Sequence, residues 1–458
     1  MSTDSERIFD GITEISDETI EELYSTKTSE IRKRQKKKRR WPIAVSTAAA
    51  VAVIAVVISY LLSGGTLSVY ALAEPDYPEN KQYMEMESGF MDQYLTAVIP
   101  EMLETEGDKN TVFSPANLYL ALGMLSELTD GNTRAEILSL LGSADVETQR
   151  TRSYQLWNDC YQNSNKSQCI LTSSIWLDKG TSYREEAIDI LKNWYYAASY
   201  SGEMGSRGYN KALQRWLSDG TKGKLDESVK NIALSPDDVF ALLQTVYFRE
   251  KWHSEFKASD TKTDIFHAPG GDIERDFMHQ RLESSTCWGA ENFTAVCQSL
   301  QFSDMYYILP DEGLAPKDLL QDPEFLSFMT DEGRYGWSDT KYMKVNLSVP
   351  KFDVSSENDL LPHLESLGIR DVMNREKADF SALTEAGPVW LTRGTQTTRV
   401  KIDEKGCEGI SYISFAGSGA ALPPEEEMDF KLDRPFIFVV CDRGNAGRCL
   451  FAGVVNQP

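Results

Sequence analysis

The stretch from Glu404 to Phe436 most constrains what this chain can fold into. It reads EKGCEGISYISFAGSGAALPPEEEMDFKLDRPF. An acidic, glycine-bearing opening leads into small, mostly uncharged residues, a proline pair and an apolar run. Catalysis has no use for such an insert between two strand patterns, but an exposed loop with its own strand-like alternation can be offered to another protein. Every second residue from Cys407 gives Cys407, Gly409, Ser411, Ile413, Phe415, Gly417 and Gly419, a face without charge that begins with three small side chains. The other parity gives Glu408, Ile410, Tyr412, Ser414, Ala416, Ser418 and Ala420. As a strand, the segment would turn the first set into a crowded interior and keep the second near water. A plain surface loop has the same composition, because Gly, Ser and Ala are what loops contain.

The flanks narrow the choice. Glu404-Lys405-Gly406-Cys407-Glu408-Gly409 resembles the hinge of the serpin reactive loop, and Arg434-Pro435-Phe436 resembles the strand after it. The ending Leu450-Phe451-Ala452-Gly453-Val454-Val455-Asn456-Gln457-Pro458 is similar to the serpin C-terminus. Other matches follow in family order. Asn110 to Pro115, with Ser114-Pro115 and then Asn117, looks like the shutter segment; Asn117 stands where many serpins have Ser or Thr. Thr221-Lys222-Gly223-Lys224-Leu225 closes a helix similar to the one covering the main sheet. Val239 to Phe248 is a continuous apolar strand that leads to Trp252, the family's breach tryptophan, and Gln244 replaces the more usual Asn or Ser on it. Val349-Pro350-Lys351-Phe352, Leu367-Gly368-Ile369 and Ala378-Asp379-Phe380-Ser381 complete the series. The resemblance spans residues 82–458.

The N-terminal part reads differently. Residues 1–40 carry ten Lys or Arg and nine Asp or Glu, and they end in RKRQKKKRR, eight positive charges in nine residues. From Ile43 to Leu62 there is no charge, and Ala, Val, Ile and Leu dominate. Twenty helical residues span ~30 Å, the thickness of a bilayer's hydrocarbon core. Positive charge on the N-terminal side predicts residues 1–40 in the cytoplasm, a membrane helix within residues 41–62, and the rest outside. The rival is a cleaved signal peptide, with Ala71-Leu72-Ala73 as its cleavage site. Residues 63–81 read as a spacer and residues 82–458 as the globular domain. Residues 63–458 carry 37 basic against 61 acidic side chains. So acidic a body repels phosphate backbones, and no nucleic acid partner is expected.

Catalytic signatures are missing from the sequence. His253, His267, His279 and His363 form no HExxH or paired motif, and there is no GxSxG elbow, phosphate loop or GxGxxG. Seven cysteines lack metal-ligand spacing. Cys441 and Cys449 flank the turn from Asp442 to Arg448, where they could form a cross-strand disulfide or remain two inert buried thiols. The chain reads as a non-enzyme without cofactor or metal.

The resemblance is to a bacterial, membrane-anchored serpin. It implies an α+β fold with a large central sheet, further sheets, about nine helices and an exposed reactive loop over residues 404–430. It also implies suicide inhibition by a monomer: a protease cuts the loop, which then inserts into the sheet as an extra strand. Counted as the family counts, the seventeenth residue from Glu404 is Ala420, so the implied scissile bond is Ala420–Ala421. A small residue there suits an elastase-like serine protease, and a cut after Phe415 by a chymotrypsin-like protease is the rival. Gly409-Ile410-Ser411-Tyr412-Ile413 departs from the family's Ala-rich hinge, although the inward parity stays small. Two other roles therefore remain: a non-inhibitory binding or scaffold serpin, and a membrane sensor of protease activity. Cys407 is expected at the base of a free loop, turning inward only on insertion.

Overall fold

The uncharged run expected as a strand forms one, and it extends to the lysine beside the tryptophan: β6 spans Phe240–Lys251. Its neighbours show why it lies at the centre. In this computed structural model, which describes residues 69–77, 87–104, 107–164, 167–330, 333–334, 336–407, 424–443 and 448–458, two sheets carry the fold. The first holds β1 (Val69–Ala73), β3 (Gln162–Asn163), β4 (Ser167–Asp178), β5 (Ala197–Gly202), β6, β12 (Phe352–Asp359), β13 (Thr395–Asp403) and β14 (Gly406–Cys407). Its order is β1-β5-β4-β6-β14-β13-β12, with β3 paired to β4.

The second sheet holds β2 (Thr111–Phe113), β7 (Lys262–Ala268), β8 (Gly271–Gly289), β9 (Phe293–Ser299), β10 (Ser303–Pro310), β11 (Thr340–Pro350), β15 (Glu427–Lys431), β16 (Phe436–Asp442) and β17 (Cys449–Val455). Its order is β15-β11-β8-β9-β10-β16-β17-β2, with β7 on β8. Strands β10 and β17 are buried at every position and β16 at all but its last, as uninterrupted apolar runs require when both faces are covered.

Among the described residues the helices agree with the expected series of about nine. Phe90, Tyr94, Leu95, Val98, Ile99 and Leu103 recur at helical spacing, and the segment forms α1 (Asp92–Leu103). The Ser-Pro signal opens α2 (Pro115–Leu128): Ser114 Oγ accepts from Asn117 N at 3.3 Å, and Pro115 sits where a missing N–H costs nothing. This helix is buried on nearly all sides. Next come α3 (Gly131–Leu141), α4 (Val146–Cys160) and α5 (Glu185–Trp194), and then α6 (Arg207–Gly220), the helix expected to cover the main sheet. Helix α6 packs that closely because Gly220 carries no Cβ. A methyl there would meet the Thr245 hydroxyl at 2.6 Å and the Thr172 hydroxyl at 3.0 Å.

One expectation about the domain boundary is corrected. The spacer assigned to residues 63–81 contains β1, which pairs antiparallel with β5, Val69 opposite Gly202 and Tyr70 opposite Ser201. The described unit therefore starts at Val69, not near Gln82. Hydrophobic patterning missed the strand because none of its five residues is fully buried; backbone pairing at a sheet edge holds it, not an apolar face. Tyr77 then stacks on Trp157, Tyr161 and Tyr196, each with ring centroids 5.9 Å away. Among the described residues no helix is long and apolar enough to cross a membrane; the run 43–62 lies outside them.

Candidate functional site: the hinge and the gap in the central sheet

Strand β13 ends at Asp403, whose carboxylate accepts from Lys405 N at 2.8 Å and so tightens the turn. The chain then comes straight back. Gly406 pairs with Asp403 on one side and with Lys251 on the other, and Cys407 pairs with Ile402 and Glu250. Two residues of β14 thus bridge β6 and β13. Gly406 has φ +155°, and a Cβ there would run into the Glu250 carbonyl and the Lys251 Cα, so only glycine fits. Cys407 is buried in this ladder. That corrects the expected free loop base: its inward parity is already in place in the intact fold. Glu408, Gly409, Ala420 and Ala421 lie outside the described residues.

Trp252 holds the turn from the side. Its indole Nε1 donates to Asp403 O at 2.8 Å, and its backbone N donates to Lys405 O at 3.3 Å. The ring is buried edge-on to Phe256, whose own N donates to Glu404 O at 3.0 Å. The Glu404 carboxylate receives Lys351 Nζ at 2.7 Å and Thr261 Oγ1 at 2.9 Å. Burial alone would raise this carboxyl, but those two donors outweigh it and hold the group below the usual carboxylate range. On the facing strand, Glu250 is fully buried and accepts from Phe302 N at 2.8 Å and Ser303 N at 3.1 Å. Here burial wins over those donors and pushes the carboxyl up.

Beyond β14 the sheet opens. Strand β4 pairs with β6 along its whole length and β12 with β13, but between residues 240–249 of β6 and 395–401 of β13 no strand intervenes among the described residues. A cavity of about 550 Å³ occupies this space. Leu118, Leu122 and Leu125 of α2 line one side of it, Leu213 and Leu217 of α6 another, and Phe451 of β17 closes part of it. Gln244 faces it too: its amide N donates to Ser173 Oγ at 3.0 Å, while Oε1 is buried without a hydrogen-bond partner.

Below the gap the shutter residues meet. Ser114 Oγ donates to Leu450 O at 2.6 Å, while Gln396 of β13 accepts from Ser114 N at 3.0 Å and donates to Ser114 O at 3.1 Å. Asn117 lines the cavity one turn along. Sequence reasoning missed Gln396, Thr261, Glu250 and the role of Lys351. A signal existed for Gln396, which lies on the inward parity of β13 with Thr398, Val400 and Ile402 and is the one long polar side chain in that row.

A bridge of two residues above a strand-sized gap is the geometry expected of a fold that can accept a further strand. The family model described as Serpin (serine protease inhibitor) matches residues 93–458, and the chain belongs to that family. It is 28% identical over 359 residues to an alpha-1-antitrypsin-like protein, GS55-MS, of Ictidomys tridecemlineatus, covering 76% of this chain and 83% of that one. It is 25% identical over 408 residues to the alpha-1-antitrypsin of Sus scrofa, covering 86% and 93%. A serpin-like protein of Thermococcus kodakarensis is 27% identical over 370 residues, 78% of this chain and 82% of its own. Among solved structures, the native state of the thermophilic serpin tengpin aligns with a TM-score of 0.73 at 22% identity, over 86% of this chain and all of tengpin. Thyroxine-binding globulin in complex with thyroxine aligns at 0.67 and 22% over 80% of this chain and 99% of its own, so the shared fold serves a binding protein as well.

Proposed function

We propose that this protein is an irreversible, suicide-type inhibitor of serine proteases that works by inserting its cleaved loop between β6 and β13. The observation that carries the proposal is the gap itself, without an intervening strand among the described residues and bridged at its hinge end by β14. A freed loop continuing from Cys407 would satisfy the unpaired edges of both strands and bury apolar surface against α2, α6 and Phe451. The small inward parity, Cys407, Gly409 and Ser411, suits a channel this narrow. The scissile bond proposed is Ala420–Ala421, with an elastase-like protease as target; Phe415 is the rival site. The basic run before the uncharged segment 43–62 supports a single-pass anchor in a bacterial cell membrane, with the inhibitor domain outside as a monomer.

One observation favours a second reading, a non-inhibitory binding serpin: bulky Ile410 and Tyr412 stand in the hinge, where fast insertion calls for small residues. Incubation with an elastase-type protease separates the two. An inhibitor gives a complex that survives SDS, and the cut maps to Ala420–Ala421. Clean cleavage with full recovery of protease activity assigns the protein to the non-inhibitory class.

A further inference from the structure

The last hairpin holds a constellation that loop insertion does not use. Cys441 near the end of β16 and Cys449 at the start of β17 are direct cross-strand partners. One rung outward, Asp442 N donates to Arg448 O at 3.2 Å. The register shifts by one residue between Val440 and Cys441, and beyond that bulge Cys441 lies opposite Cys449. Residues directly opposite on an antiparallel ladder have Cα atoms about 4.5–5.5 Å apart, whichever kind of rung they occupy. A disulfide requires a Cα separation of about 4.4–6.8 Å. No other two cysteines oppose each other on a ladder among the described residues.

A cation completes the arrangement. Arg334 is buried, its guanidinium 4.2 Å from the Tyr306 ring centroid and 4.6 Å from that of Phe328. Its Nε donates to Phe328 O at 2.9 Å, Nη1 lies 3.8 Å from Cys441 Sγ, and Nη2 has no hydrogen-bond partner. Burial, with Cys441 as a close neighbour, pushes the Cys449 thiol well up. The folded site thus disfavours the Cys449 thiolate, the species that starts thiol–disulfide exchange, so oxidation belongs to the folding chain, before the pair is buried.

We propose that Cys441 and Cys449, held as thiols in this structure, are an oxidation site that closes into a disulfide stapling β16 to β17. The co-reactant is a disulfide, such as that of glutathione or of an oxidising dithiol protein, and it acts while the chain folds, before the sheet covers the pair. The Cys441 thiolate attacks one sulfur of the co-reactant and releases the other as a thiolate. Cys449 then gives up its proton, and its sulfur attacks that of Cys441, displacing the second co-reactant sulfur. One S–S bond forms and one breaks; two electrons and two protons leave with the co-reactant as thiols. The staple fixes the residues that floor the gap, since Leu450 O receives Ser114 Oγ and Phe451 lines the cavity.

The test is to refold the full-length chain with oxidised and reduced glutathione, denature it, and alkylate it with N-ethylmaleimide. Five of the seven cysteines should alkylate, two more after reduction, and one tryptic species should join the peptides of Cys441 and Cys449. Cys449→Ser should lose that species, and the other cysteines should form no substitute link. Seven free thiols after oxidative refolding, or a link between other cysteines, would overturn the assignment.

Discussion

The two sheets of this molecule solve the same backbone problem differently. In the nine-stranded sheet, β10, β16 and β17 run side by side, paired along nearly their whole length with one bulge between β16 and β17, and with almost no exposure. In the eight-stranded sheet, β6 and β13 are each paired on one side and face a cavity on the other, bridged among the described residues by Gly406 and Cys407. Consequently several apolar residues of β6 are only half-buried in the middle of the fold. Among the described residues the nine-stranded sheet is paired without such a gap. Among the described residues the eight-stranded sheet leaves the facing edges of β6 and β13 unpaired beyond β14, which under the proposed function holds free energy for a later step.

The comparison breaks first at Cys407. Cys407→Arg places an unpaired guanidinium in the β14 ladder, at an effective cost on the order of several kcal/mol. Because Cys407 is buried before any cleavage, the variant should melt lower as an intact protein, and it should also behave as a substrate, releasing active protease after the cut. Glu408→Arg, on the other parity, should do much less. Melting curves and SDS-stable complex yield for the two variants decide the point; equal behaviour would mean the parity is wrong.

A smaller effect is expected where the two sheets touch. Gln396→Ala leaves the buried Ser114 N–H without its acceptor and removes one of two donors from Ser114 O, where Leu118 N remains at 3.1 Å; it should cost about 1–3 kcal/mol, whereas Asn117→Ala, which keeps the Ser114 cap, should cost less. Denaturant midpoints of the two variants measure the difference. Equal losses would remove Gln396 from the shutter.

The smallest effect is electrostatic. The Glu404–Lys351 pair is partly exposed, so its loss in Glu404→Gln should cost about 0.5–1 kcal/mol. Glu404 has a depressed folded-state pKa, so its contribution is complete above the ordinary Glu value of ~4.3 and fades as pH falls through the lower folded value. The melting difference between Glu404→Gln and the parent protein should therefore be constant near neutral pH and shrink below about pH 4. A difference that grows on acidification would show that burial, not Lys351, governs the group.

Much of this was legible in the chain because it is local. The Ser114-Pro115 helix start and the apolar strand leading to Trp252 are each contiguous, and they form the helix and the strand that their patterns implied. The partners were hidden by distance: Gln396 reaches Ser114 across 282 positions and Lys351 reaches Glu404 across 53, and no periodicity links such pairs. Strand β1 was hidden for a different reason, since an edge strand that buries no face leaves no hydrophobic signal. The state of Cys407 also escaped prediction, because parity says which way a residue faces but not whether its strand has already entered the sheet.

Hydrogen exchange along the facing edges of β6 and β13, read before and after limited cleavage at Ala420–Ala421, tests the central claim most directly. In the intact protein, peptides covering residues 240–249 and 395–401 should exchange faster than those from β10, β16 and β17, with protection only beside Gly406 and Cys407. After cleavage both edges should become as protected as the nine-stranded sheet, because a new strand then lies between them. Unchanged exchange at both edges after a complete cut would contradict insertion and leave the gap as nothing more than a cavity.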